Sequence, residues 1–508
     1  MSKRLRIAFI HPDLGIGGAE RLVVDAAVAL KAQGHQVHIL TSRHDPKRCF
    51  VETVDVGTLP VHVLGSSLPR HLHSRLPMTI IFSILRSLLL SILFLTSLLL
   101  PGPPSLLNPL SPMERFDVFI VDQQAVSIPL LRLVSGTRVV FYCHFPDKLL
   151  SGKWEIDIRK DTGYVKRKKG TSLVQRVYRW PIDKLEEYTI SQADVILSNS
   201  QFSSRVFGLA FSSLASKPRR VVYPCIDVDA YQATPRLDRK DHSVKVIQSD
   251  RPTIVSFNRF EAKKNIALAI RAFAELRNGS YMNPSEFNKL RFVIGGGYDQ
   301  DERDNTSTLS SLQQLCSDLE LSFHTIASIS ETFQPPATVQ IIFLLNFSNA
   351  QRTHLLTAPS TRCLVYTPEN EHFGIVPIEA GAAGLVVLGC DSGGPVETIV
   401  DFSSSSDGLG SGLLRPSTPK AWAEALNTLI SLTPDKRKEI SEFARQRTRS
   451  EFSLSTLGMN MEKACRDALS LGDLHEQLGD HLIKTSLGLI GLSIGGLGVI
   501  WLIWGGSL

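Results

Sequence analysis

The chain has no C-x-x-C pair: its seven cysteines, Cys49, Cys143, Cys225, Cys316, Cys363, Cys390 and Cys465, are scattered and odd in number. Such a set builds neither a disulfide framework nor a zinc site, and it fits reduced thiols in a cytosolic body. Charge of one sign is also scarce. Lys and Arg outnumber Asp and Glu by 55 to 49 over 508 residues, which is too weak a bias to argue for nucleic acid as a partner. No secretory leader is expected, because MSKRLRIAFIHPD reads as a short apolar strand. The G-x-G-x-x-G fingerprint of dinucleotide sites is missing, as is the acidic residue expected about 20 positions beyond it. Two Asp-x-Asp triplets, Asp227/Asp229 and Asp299/Asp301, have no further ligand in evidence, so no metal is expected in the site.

What is present is length and alternation. A chain of 508 residues exceeds one ordinary hydrophobic core, so two domains facing a cleft are expected. RIAFIHPDLGIGGAERLVVDAAVAL reads as strand, glycine loop and amphipathic helix, followed by the strand QVHILTS. This opens a doubly wound α/β domain over residues 1–225, in which DVFIV (117–121), VVFYC (139–143) and ADVIL (193–197) extend one parallel sheet. A polar stretch, 226–250, reads as a linker. A second alternating series occupies 251–432, with strands TIVSFNRF, LRFVIGGG, CLVYTP and LVVLGCD, so the second domain is again α/β. Amphipathic helices over 433–471 are expected to pack back on the first domain.

Two apolar segments, 78–100 and 482–505, reach the ~20 residues that span a bilayer. Strands before residue 78 and after residue 117 share one sheet, and a crossing between them would put them on opposite sides. Segment 78–100 is therefore expected to enter one leaflet or lie in the interface. That pose suits Arg86 near its middle, which would cost about 2.5–3.5 kcal/mol at a bilayer centre; a buried core helix is the alternative. The basic run Lys166, Arg167, Lys168 and Lys169 reads either as a solvated loop or as a patch for anionic headgroups or a diphosphate.

Chemistry concentrates in TPENEHFGIVPIEAGAAG. Glu371 and Glu379 flank a short apolar run, Gly374 lets the backbone turn, and Pro377 suits the first helical position, which puts Glu379 in the first turn. The amides of Gly374, Ile375 and Val376 then face out of a helix N-terminus, where an anion is favoured. Amides for phosphate and carboxylates for hydroxyls suit a sugar nucleotide. In NRFEAKKN, Arg259 and Lys264 offer a planar fork and a mobile charge suited to a diphosphate, or else are solvated surface charges. Gly15, Gly17 and Gly18 open a helix after the first strand, as a phosphate or sugar site requires, or as any tight turn does. His144 closes a buried strand in FYCHFPD, where it is either structural or catalytic.

In their order and spacing, GGAER (17–21), HFPD (144–147), NRFEAKKN (258–265), FVIGGG (292–297) and ENEHFGIVPIE (369–379) resemble the family 4 retaining glycosyltransferases of GT-B fold, from about residue 5 to 465. CHFPD, FSNAQR and NEHFGIVPIEA, together with the apolar segments, are most similar to the eukaryotic mannosyltransferases of the dolichol pathway. The resemblance implies two Rossmann-like domains, GDP-mannose as donor, and a dolichyl-pyrophosphate-linked GlcNAc2-mannose acceptor. This acceptor would be extended by α-1,3- and α-1,6-linked mannose in N-glycan precursor assembly. It also implies the endoplasmic reticulum membrane, its lipids, and other mannosyltransferases of the pathway as surroundings, with the catalytic domains facing the cytosol.

Residue by residue, the resemblance gives Arg259 and Lys264 to the donor diphosphate, Glu379 to the ribose, Glu371 to the mannose hydroxyls, and His144 to the donor sugar and transition state. Gly17 and Gly18 would let the first helix approach the phosphates, and Gly374, Ile375 and Val376 would meet the leaving diphosphate. No cofactor is implied. Another membrane-bound member using UDP-GlcNAc on phosphatidylinositol, or GDP-mannose on a longer glycan, and a catalytically silent scaffold of the same fold are the rival expectations. SYMNPSEFNKL and the stretch 328–340 match no motif.

Overall fold

The computed structural model describes residues 3–54, 57–69, 79–100, 103–105, 109–110, 113–150, 154–157, 163–167, 173–232, 242–279, 281–327, 333–472 and 474. The tail segment 482–505, Met78, Lys168, Lys169, residues 233–241 of the expected linker and residues 328–332 lie outside the described residues. Two compact units are present, Met1–Pro224 with Leu454–Leu508, and Cys225–Ser453.

The first unit is built on seven strands, β1 (Arg6–His11), β2 (Gln36–Thr41), β3 (Val61–Val63), β4 (Val118–Asp122), β5 (Arg138–Cys143), β8 (Val195–Ser198) and β9 (Arg219–Val221), in the order β3-β2-β1-β4-β5-β8-β9. Every pairing in it is parallel. All residues of β4 and β5 are buried, which is why these strands read as continuous apolar runs. The additions to the expected sheet are β3 and β9, three residues each at its edges. The basic run is partly a hairpin: β6 (Trp154–Asp157) pairs antiparallel with β7 (Tyr164–Arg167).

Helix Thr79–Leu99 is long and apolar enough to cross a membrane by length and composition, yet one side of it packs on protein. Leu90, Phe94 and Leu95 enter the core with Phe116 and Phe119, and the Phe94 and Phe119 rings meet edge-on at 5.5 Å. Gly65, at φ +75°, lies so close that a Cβ there would be 3.0 Å from the Leu90 nitrogen. On the outer side Leu85, Ile92 and Leu99 are exposed. The Arg86 side chain is buried within the protein, 8% exposed, and lines a cavity of the first unit. β1 pairs with β4, so the chain rejoins the same sheet after this helix.

The helices expected over 433–471 divide between the units, a correction to the reading that both pack on the first domain. Leu454–Ser470 packs against helix Gly18–Ala32 in the first unit, where a Cβ at Gly458 would be 3.0 Å from the Ala29 Cβ. Pro434–Glu451 packs against helix Ile375–Ala383 in the second, where a Cβ at Gly381 would meet the Thr448 hydroxyl at 2.7 Å. The 226–250 stretch is not a plain linker either. It contains helices Asp229–Gln232 and His242–Ile247, and Val244, Val246 and Ile247 are buried, enough apolar surface to order a short segment.

The second unit repeats the plan with β10 (Thr253–Phe257), β11 (Arg291–Gly296), β12 (Phe323–Ile326), β13 (Ile341–Leu345), β14 (Thr361–Tyr366), β15 (Val387–Cys390) and β16 (Gly412–Arg415), in the order β12-β13-β11-β10-β14-β15-β16. The sequence reading omits β12, β13 and β16. All seven cysteines are free.

Candidate active site

In the second unit the connections diverge on either side of β10, between β11 and β14. Doubly wound sheets bind ligands beyond the strand ends at such a point. Lys264 ends a tight turn, Ala262–Lys264, shortly after β10, and its Nζ donates to Glu371 Oε2 at 2.5 Å in the loop after β14. The two loops are tied further by Thr367 Oγ1, which donates to the Lys264 carbonyl at 2.6 Å. Gly394 N donates to the Glu371 carbonyl at 2.7 Å, and a Cβ at Gly393 or Gly394 would collide with backbone of residues 370–373. Asn265 and Asn370 hold left-handed conformations, φ 49° and 51°, which asparagine tolerates better than most residues.

The two glutamates titrate in opposite directions. Burial disfavours a charged Glu371, but the charge and hydrogen bond of Lys264 outweigh it, and the pKa lies below the ordinary value. For Glu379 burial dominates and raises the pKa, only partly offset by Arg352 and Tyr231. Arg352 Nη1 and Tyr231 Oη both donate to Glu379 Oε1, at 2.7 and 2.9 Å.

The sequence reading singles out neither Arg352 nor Tyr231. Ser348 and Gln351 form a capping box that begins helix Asn349–Thr357, so the helix start is legible. That Arg352 meets Glu379 depends on tertiary packing and has no local signal.

Arg259 projects outward, its side chain 74% exposed and touching Glu261 at 3.3 Å. A Cβ at Gly296 would collide with the Asn258 carbonyl, and one at Gly297 would lie 3.7 Å from Arg259 Cγ. Gly296 thus gives clearance at the end of β11 to the Asn258 carbonyl, and Gly295 to the Phe347 ring, whose Cδ1 a Cβ there would meet at 2.8 Å.

Gly374 is the N-cap of helix Ile375–Ala383, with φ +90°. Pro377 therefore takes the third helical position and not the first, and Glu379 falls in the second turn. Proline is tolerated there because the third amide has no acceptor within the helix anyway. Ile375 and Val376 keep amides at the terminus.

In the first unit three neighbouring strands end on one cluster. Asp122, closing β4, takes His11 Nδ1 at 2.8 Å on Oδ2 and His144 Nε2 at 2.9 Å on Oδ1. The His11 and Asp122 side chains are 0% and 1% exposed, and His144 keeps 19%. Burial alone would raise the Asp122 pKa, but the two histidines hold it at about 2. Burial works against charge on His11, yet the hydrogen bond and charge of Asp122 win and its pKa is raised. The sequence reading finds His144 and passes over its two partners, although each is a polar residue closing an apolar strand at the sheet's C-terminal edge.

At the glycine loop, Gly17 is the N-cap of helix Gly18–Ala32 in extended backbone. The Glu20 carboxylate folds back to where a Gly17 Cβ would sit, whereas a Cβ at Gly18 would have no atom within 4 Å. The Asp-x-Asp triplets serve turns: Asp227 Oδ1 accepts from the Asp229 amide and Asp299 Oδ1 from the Asp301 amide.

Two such doubly wound units define the GT-B glycosyltransferases. The fold matches a solved glycosyltransferase from Rickettsia africae (TM-score 0.61, 16% identity, 92% of this chain and 99% of that one). It also matches sucrose-phosphate synthase from Thermosynechococcus elongatus (0.62, 15%, 92% and 100%). Residues 16–230 match the family described as Glycosyltransferase Family 4, and residues 334–447 the one described as Glycosyl transferases group 1. The protein is a glycosyltransferase. Proteins named Alpha-1,3/1,6-mannosyltransferase ALG2 are 40% identical in Rhizomucor pusillus (91% of each chain), 35% in Dictyostelium discoideum (90% of this chain, 97% of that one) and 35% in Saccharomyces cerevisiae (90% and 84%). The chain belongs to this α-1,3/1,6-mannosyltransferase family.

Proposed function

We propose that this enzyme transfers mannose from GDP-mannose, with retention, to a dolichyl-pyrophosphate-linked GlcNAc2-mannose acceptor, forming α-1,3 and α-1,6 linkages. The observation that carries the proposal is the Lys264–Glu371 pair beside the outward Arg259 at the β10/β14 divergence. Departure of GDP leaves an oxocarbenium-like sugar and a diphosphate. Arg259, Lys264 and the amides of Ile375 and Val376 supply positive potential fixed before the bond breaks.

Glu371, held ionised by Lys264, suits the mannose hydroxyls. Glu379 receives both protein donors on Oε1, so Oε2 is assigned to the ribose. His144, anchored through Nε2, is assigned to stabilising the transition state. The leaving phosphate takes the acceptor's proton from the same face, and no covalent nucleophile is needed.

Seating on the endoplasmic reticulum membrane fits the exposed Leu85, Ile92 and Leu99 of one helix and Leu173, Val177 and Trp180 of another, Leu173–Ser191. A cytosolic orientation fits seven free cysteines. The test is incubation of the purified full chain with GDP-mannose and the lipid-linked acceptor. The expected product has gained two hexoses, released by α-1,3- and α-1,6-specific mannosidases. Transfer of GlcNAc from UDP-GlcNAc to phosphatidylinositol, or no mannose transfer, would overturn the reading.

A further inference from the structure

His144 leaves β5 on a short, stiff link. Phe145, 9% exposed, is followed by Pro146. Proline fixes its own φ and confines the residue before it to extended backbone, so a displacement of Asp147 is carried back to His144 and not absorbed on the way. One end of the link is tied by Asp122, which takes His144 Nε2 at 2.9 Å.

The other end is tied by Glu186, on helix Leu173–Ser191. Its Oε1 accepts from the Asp147 amide at 2.7 Å and its Oε2 from the Lys148 amide at 3.0 Å. These two amides open the short helix Asp147–Leu150 and have no acceptor within it. Arg179 of the same long helix donates to the Asp147 carbonyl at 3.4 Å. The Lys148 side chain is held from another side: its Nζ donates to the Ala210 carbonyl and lies 4.4 Å from the centre of the Phe211 ring.

Glu186 stands here against its surroundings. Burial raises its pKa, and so does the carboxylate of Asp147, which lines the same small cavity, while the two amides work in the opposite direction. Glutamine would be cheaper to desolvate, but its single carbonyl oxygen satisfies one amide and turns an NH2 group toward the other. A carboxylate is the side chain that takes two adjacent backbone amides at once.

We propose that Glu186 is a positioning residue for the transfer reaction: by gripping the Asp147 and Lys148 amides it holds His144 in its working orientation at the end of β5. The proposal rests on the reading of His144 as the group that stabilises the transition state.

In the full-length enzyme, Glu186→Gln is expected to lower kcat roughly tenfold, as loss of a hydrogen bond to a charged acceptor predicts. The KM for GDP-mannose stays within about twofold, because the lost interaction is one made in the transition state. Glu187→Gln, one residue along and bonded to Ser213 instead, leaves both constants within about twofold. The deciding measurement is a double-mutant cycle. In the His144→Ala background Glu186→Gln lowers kcat by less than about twofold, whereas a merely structural glutamate loses the same tenfold in both backgrounds. Wild-type kcat in Glu186→Gln, or a tenfold loss that persists without His144, overturns the proposal. If Glu186→Gln shows no cooperative melting transition, Glu186→Asp, whose carboxylate is drawn back by one methylene, carries the same cycle and the same two outcomes decide. A readout that needs no transfer is carbethoxylation of His144, 19% exposed, by diethyl pyrocarbonate, followed by mass spectrometry. Its rate rises severalfold in Glu186→Gln, and an unchanged rate overturns the proposal. Faster labelling in an enzyme that transfers no mannose would retain the positioning and overturn the mannosyltransferase reading alone.

Discussion

At the β10/β14 divergence the charged groups neutralise one another, Lys264 with Glu371 and Arg352 with Glu379. At the β1/β4 divergence Asp122 gathers two histidines in the interior while Arg43 and Arg48, which line a cavity there, form no ion pair among the described residues. The difference separates two ways of holding charge for an anionic ligand. Paired groups are preorganised and couple the site to the stability of their unit. Unpaired groups lining a cavity affect affinity and leave the fold alone.

The harshest way to break this contrast is Lys264→Ala. It removes a cation from the site and leaves Glu371 buried without its partner, so turnover is expected to fall by roughly 10³-fold. Stability should change as well. The depressed Glu371 pKa contributes stability above the unfolded carboxylate value, lost as pH falls through the lower folded value. The variant should lack that loss in denaturant titrations between about pH 6 and pH 3. More than a tenth of wild-type turnover in a single-turnover assay would mean that the pair is structural only.

Arg259→Ala sharpens the contrast from within the second unit. The side chain is 74% exposed, with one contact at 3.3 Å, so its removal should leave the melting temperature within about 1 °C, as for surface ion pairs. Turnover should nevertheless drop by roughly 10²-fold. A melting shift without a rate loss would place Arg259 among the structural charges.

How much of this was legible follows from where each signal lies. Glu371, Glu379, Arg259 and Lys264 stand next to glycines and strand ends that mark them locally. The glycine-rich end of β11 is a signal whose reason, clearance for the Asn258 carbonyl and the Phe347 ring, needs coordinates. β13, IIFLL, is a fully buried apolar run that the sequence could have yielded, had the unmatched stretch before it not obscured the alternation. Edge strands β3 and β9 are too short for any period to show. Pro377 suits both the first and third helical positions, so the sequence places the start of helix Ile375–Ala383 only to within two residues. Tyr231 and Arg352 reach Glu379 across separations of 148 and 27 residues, and no local pattern encodes such meetings.

The gentlest test concerns Asp122, the point where the first unit resembles the second in pairing its charges. Asp122→Asn keeps the shape but offers one acceptor where two imidazoles now donate, so one histidine must change tautomer or turn. His144 then loses its fixed orientation, and turnover is expected to fall roughly tenfold, less than for a group on the diphosphate. The pH dependence gives a separate readout. Asp122 is held at about 2 from an ordinary value of 3.8, so its stabilisation, about 2 kcal/mol, is present above pH 4 and lost as pH falls through 2. His11 is raised above 6.5, so its share is complete below pH 6.5 and lost as pH rises through the folded value. Both windows report one interaction and are not summed. Denaturant unfolding of the wild type between pH 6 and 9 should therefore show declining stability that Asp122→Asn flattens. A variant with the same slope and the same turnover would show that the cluster neither charges His11 nor positions His144.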